Sequence, residues 1–183
     1  PDEAAAMAEV SAEQLSKAAE YIEEEEGAFS RFPGILASAT KFLLVAMSLF
    51  HLYAAVDIVP ANVLRPVHVG WMLLLIFLLV PVAPRFRNRL MWWDVACALL
   101  GVATIAYLLA GGDDFWDRNT TPSCSDVFFG VAFVLLVLEA CRRTSGWIMV
   151  IVISLFLAYA FAGPWLPGQW AHRGYDVDGM TGF

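Results

Sequence analysis

The stretch from Ser125 to Pro167 holds two apolar runs separated only by Arg142-Arg143-Thr144-Ser145-Gly146. The first run, Val127 to Cys141, carries one acid, Glu139, near its end; the second, Trp147 to Ala162, carries no charge. Two apolar segments with so short a polar link cannot both be buried in a soluble domain of this size. They predict a transmembrane helical hairpin. Short arginine-bearing loops stay on the cytoplasmic side, which places Arg142 and Arg143 there. Composition agrees. Only 16% of the chain is charged and 60% is hydrophobic, with mean hydropathy +0.65, whereas water-soluble domains carry about a quarter charged residues.

The rest of the chain threads from that hairpin. Residues 1–30 are acidic and polar; Ser11 to Gln14 resembles a capping box, and Leu15, Ala18, Ala19 and Ile22 recur at helical spacing. This predicts an acidic cytoplasmic helix or tail. Ile35 to Val59 is the first span. In it Lys41, Ser48 and His51 share a stripe with Leu44 and Ala55, and that stripe is expected to face protein. Lys41 can snorkel to the cytoplasmic interface. His51 reads either as a proton relay or as a hydrogen bond between helices. A loop from Asp57 to Arg65 leads to the second span, Val67 to Val82, whose uniform apolar run offers no preferred face and suggests broad lipid exposure.

Arg85, Arg87 and Arg89 make the next loop the most basic in the chain and fix it as cytoplasmic. The third span, Trp92 to Leu109, places Asp94, Cys97, Gly101 and Thr104 on one small or polar stripe, a candidate packing face with Asp94 as a buried polar residue. The loop from Gly111 to Ser125 is acidic and therefore external, with Asp126 capping the fourth span. Glu139 lies within helical pairing distance of Arg142 and Arg143, which predicts a structural ion pair at the membrane surface. Gly163-Pro164 ends the fifth span, with Trp165 and Trp170 as outer interfacial anchors and a polar, glycine-rich remainder from His172. The expected fold is thus all-α and membrane-embedded, with five spans, the N-terminus cytoplasmic and the C-terminus periplasmic. The chain begins with Pro1 and reads as a fragment of something longer.

Several function classes receive no support. There is no basic face with interleaved aromatics, so no nucleic-acid partner is expected. Cys97, Cys124 and Cys141 lack metal or redox spacing. No HExxH, GxSxG or Walker loop occurs, and Ala110-Gly111-Gly112-Asp113 falls short of a GxGD protease motif. No Pro or Gly pair interrupts a span near its centre, as transport sites generally require. The expectation is a non-enzymatic scaffold without catalytic, cofactor-binding or metal-ligating residues.

The run SLFHLYAAVDIVPANVLRPVHVGWMLLLIFLLVP, the basic loop, VACALLGVATIAYLL, and LLVLEACRRTSGWIMVIVISLFLAYAFAGPWLPG with the downstream HRGYDVDGM closely resemble, in order and spacing, the N-terminal part of fused TRAP transporter permeases of the TAXI type. The likeness covers roughly residues 31–183. It rests on Arg65-Pro66-Val67-His68 before span two, Tyr107 late in span three, Arg142-Arg143-x-x-Gly146, and Gly163-Pro164. The resemblance implies a four-span Q-like (DctQ-like) domain over 31–145 and a connecting helix over 146–183, preceding an M-like domain that this sequence lacks. In that family the M-like part carries the substrate and the sodium or proton sites, and a periplasmic binding protein delivers an organic anion for symport across the bacterial inner membrane. Lys41, Arg65, His68, Arg85, Arg87, Arg89, Glu139, Arg142 and Arg143 would then be anchoring or structural residues, and the chain alone would not transport. Two other readings stand beside it: a self-contained proton-linked channel or enzyme using His51 and Asp57, and a membrane assembly factor that reads partners through the acidic N-terminal helix.

Overall fold

The computed structural model describes residues 14, 17, 29–30, 32–86, 89–117 and 121–181. Among these, all regular structure is helical. Gln14 and Lys17 are helical, but the rest of the expected N-terminal helix and its capping box lies outside the described residues, as do Arg87 and Asn88. Five helices are long and apolar enough to cross a membrane, and the chain is of the multi-pass kind.

Local chemistry explains where each helix starts and stops. Gly34, at φ 66°, turns the chain into α1, Ile35–Val56, which ends where Asp57 becomes extended. Only residues 57–60 separate it from α2, Ala61–Leu79. Proline suits this start, since an N–H at Pro60 would have no helical acceptor, while its carbonyl accepts the Val63 and Leu64 N–H groups. The loop expected to reach Arg65 is therefore shorter, and Asn62 and Arg65 are helical. Pro66, early in α2, removes only one ladder bond.

A 3₁₀ turn, Pro84–Phe86, leads to α3, Trp92–Asp117. The helix breaks at Gly112 (φ 48°, ψ −136°) and resumes, so part of the segment expected as an acidic loop is helical up to Asp117. Ser123 then caps α4, Cys124–Ser145, in a complete capping box with Asp126. Arg142 and Arg143 occupy its last turn and are not a separate hinge. Gly146 alone, at φ 77°, is the joint to α5, Trp147–Ala162.

The core lies between α2, α3 and α4, where Leu73, Phe77, Ala98, Leu136 and Ala140 are buried together. Burial inside the protein reaches 22%, 22% and 17% of the spans in α2, α3 and α4, but only 6% in α1 and α5. This overturns the expectation of a lipid-exposed second span: α2 is central. It also displaces the 125–167 hairpin as the organising element, since α5 buries no residue and lies on α4 from outside.

A uniformly apolar helix can take the middle because, in lipid, helices associate through close packing and not through apolarity. Gly70 supplies the close approach. A Cβ there would lie 2.8 Å from Cγ1 of Ile105. The small-residue stripe of α3 does face this core: Asp94, Gly101 and Thr104 are buried and Cys97 is half-buried.

The remainder after α5 folds back. The backbone N–H groups of His172 and Tyr175 donate to the carbonyls of Gly163 and Ala160 at 3.2 and 3.0 Å. A short helix α6, Val177–Thr181, then packs against α4.

Candidate functional site

The densest polar cluster joins the end of α2, the start of α3 and the end of α4. Nη1 of Arg143 donates to Oδ1 of Asp94 at 2.7 Å and to the Val80 carbonyl at 3.1 Å. Its Nε donates to Oε1 of Glu139 at 2.8 Å. Glu139 also receives Arg142, through Nε at 2.7 Å and Nη2 at 2.8 Å, and Arg142 reaches the Val82 carbonyl at 3.4 Å. The pairing expected from i,i+3 and i,i+4 spacing is present, and Asp94 is added to it.

The Arg143 and Asp94 side chains are 2% and 5% exposed. Charges so removed from water persist only if they are paired and hydrogen-bonded. Here two guanidiniums meet two carboxylates. The Arg143 guanidinium also covers the Phe77 ring at 4.9 Å, tying the cluster to the apolar core. In Arg142, the guanidinium lies 5.7 Å from the Trp147 ring and so reaches across the Gly146 joint.

A second fastening closes the opposite end of the α3–α4 pair. The Tyr107 hydroxyl donates to Oδ1 of Asp126 at 2.6 Å, and its ring stacks on Phe129 at 4.4 Å. Oδ2 of the same carboxylate accepts the Ser123 N–H and hydroxyl, both at 2.7 Å. Ser123, not the expected Asp126, is therefore the N-cap; Asp126 completes the capping box from the third helical position and is also an interhelical contact.

Between α1 and α2, Nε2 of His51 lies 2.8 Å from Nδ1 of His68, and Nδ1 of His51 lies 2.8 Å from the Met47 carbonyl. The carbonyl can only accept, so His51 carries a proton on Nδ1. When both rings are neutral, Nδ1–H of His68 donates to Nε2 of His51. The stripe expected to carry His51 into protein is not otherwise inward: Lys41, Leu44, Ser48 and Ala55 are exposed. In the next loop, Asp57 accepts the Tyr53 hydroxyl at 2.6 Å and the Ile58 N–H at 2.8 Å. The Tyr53 bond, then the Ile58 bond, hold its carboxyl below the usual range.

A cavity of about 410 Å³ opens among α2, α3 and α4 near the Tyr107–Asp126 end. Val69, Ile105, Phe133 and Val134 line its depth and Arg65 its exposed edge; Phe115, beyond the Gly112 break, and Met180 of α6 cover it.

Among the expected site residues, the fold assembles Asp94, Glu139, Arg142 and Arg143, and it pairs His51 with His68. It leaves the others apart. Arg85 lies over Phe86 at 4.6 Å, while Lys41, Arg65 and Arg89 are exposed. No group of three or more metal-type ligands occurs among the described residues. Sequence reasoning missed the Asp94–Arg143 contact, the Tyr107–Asp126 bond and the cavity. Only the polar marks inside apolar runs pointed toward the first two. No protein-family model, no curated protein and no solved structure matches the chain at a significant level.

Proposed function

We propose that this chain is the small scaffold component of a TRAP-type secondary transporter, which takes up an organic anion with a periplasmic binding protein and an ion gradient. The observation that carries this reading is the uneven finish of the bundle. The three inner helices are fastened together at the arginine cluster, and α3 and α4 are fastened again at the Tyr107–Asp126 end. The outer helices α1 and α5 keep apolar flanks, with Phe42, Leu49, Ile148 and Phe156 each more than half exposed. A rigid centre with open apolar sides suits a part that seats a larger domain in the bilayer. The absence of a mid-span break in any described helix also supports a holding role over a transporting one.

In this reading α5 connects to the M-like domain, and Lys41, Arg65, Arg142 and Arg143 set position. The N-terminus lies in the cytoplasm, the arginine cluster faces that side of a bacterial inner membrane, and the 57–60 loop faces the periplasm. Single cysteines at Asn88 and Gly112, labelled from outside intact cells in a background without native cysteines, test the threading. Position 112 should react and position 88 should not; the reverse pattern would invert it. The scaffold role is tested by capture of a separately expressed M-like domain on the purified chain in detergent. Stable capture is expected, and no capture would remove the reading.

The His51–His68 bond favours one other reading, a proton-linked function of the chain alone. It requires proton flux in liposomes that His51→Ala abolishes. The scaffold reading expects no flux from the wild-type chain.

A further inference from the structure

We infer that the cavity between α2, α3 and α4 holds one acyl chain of an anionic membrane lipid, with the lipid head group on Arg65. This inference does not depend on the transporter reading. The volume, about 410 Å³, falls in the ~300–1,000 Å³ range of ligand sites. Its lining is graded along the bundle. Arg65, Leu108 and Asp126 lie toward one end, while Val69, Ile105 and Val134 lie deeper. From Asp126 to Val134 along α4 the depth is about 12 Å at ~1.5 Å per residue. One leaflet of a ~30 Å hydrocarbon core is about 15 Å deep. The cavity therefore runs over most of one leaflet, from the level of a head group to the reach of a chain.

The polar groups divide in the same way. Inside, each has a partner. The Thr104 hydroxyl donates to the Leu100 carbonyl at 2.8 Å, the Tyr107 hydroxyl is held by Asp126, and Asp126, 4% exposed, is held by Ser123. None asks for a ligand atom, so the part of the ligand that enters should be apolar. At the edge, Arg65 is exposed and makes no ion pair or hydrogen bond among the described residues. A guanidinium binds phosphate in a two-pronged, charge-assisted fashion. Together these select an amphiphile with one anionic end and an uncharged tail. An apolar void in contact with a bilayer loses dispersion energy while empty, and acyl chains are the apolar groups at hand. Phe115 and Met180, from short segments outside the spans, line the cavity beside Arg65's end.

The test is native mass spectrometry of the full chain in mild detergent, titrated with phosphatidylglycerol or phosphatidylcholine of equal chain length. The expected result is one phosphatidylglycerol per chain, held about tenfold more tightly than phosphatidylcholine, whose choline cation offsets the phosphate charge at Arg65 and costs about one charge-assisted contact. Arg65→Gln should abolish that preference. Val134→Phe, which fills the cavity from α4, should weaken retention of both lipids. Val69→Phe fills it from α2 and replaces that variant if it does not fold. Equal retention of the two lipids by the wild-type chain would overturn the inference. So would an unchanged preference in Arg65→Gln, or full retention in a folded filling variant. Retention of a short water-soluble alkyl phosphate without any phospholipid would overturn it in favour of a soluble anion.

Discussion

Replacing Arg143 with methionine lowers the stability of the chain by about 3–5 kcal/mol, the cost of removing one partner from a buried ion pair. Methionine keeps an apolar stem over Phe77 but strands Asp94, which has no other cationic contact within the cluster. Glu139 suffers less. It is 30% exposed and remains held by Arg142. Adding Asp94→Asn to Arg143→Met should recover a large part of the loss, because the stranded charge disappears. Unfolding in mixed detergent micelles at increasing denaturing-detergent fraction measures both. A single-variant loss below about 1 kcal/mol, the level of exposed pairs, would show that the cluster does not hold the helices.

Gly70→Val gives the second large effect, a loss of about 1–3 kcal/mol from overpacking. The added carbon meets Ile105 at 2.8 Å, against the branched root of that side chain and not a flexible tip. Helices α2 and α3 must separate, and Leu73 and Phe77 lose their neighbours along the same seam. Gly101 provides the control. A Cβ there finds Leu73 at 3.5 Å, an ordinary contact. Gly101→Ala should therefore be neutral or slightly stabilising, since alanine favours a helix by ~0.5–1 kcal/mol over glycine. Equal losses at the two positions in the same unfolding assay would contradict the close approach at Gly70.

What could be read in advance was what is local. Span number follows from uninterrupted apolar length, and all five spans are present in order, although the second begins at Ala61, ahead of the expected Val67, and the third helix runs on to Asp117. The Glu139 pairing follows from helical spacing, and the part of Asp126 in capping α4 from its place before an apolar run, although Ser123 is the N-cap. The small stripe of α3 named its packing face because only one side of that helix departs from large apolar residues. Span two offered no such contrast. Its central place depends on Gly70 meeting Ile105, which periodicity does not encode.

The Asp94–Arg143 and His51–His68 contacts link residues 49 and 17 positions apart. They arise from how helices are laid side by side. The acidic residues after Gly111 point to a loop, whereas the backbone resumes a helix beyond the Gly112 break as far as Asp117. The fold-back of residues 172–175 rests on main-chain bonds, to which side-chain chemistry gives little clue.

The sequence distance between Asp94 and its counter-charge has a consequence for biosynthesis. The acid leaves the ribosome well before Arg143 is made. A carboxylate near the membrane must then wait, hydrated or protonated, until the fourth span enters the translocon. A nascent chain halted before that arginine lacks the partner that holds Asp94 in the finished bundle.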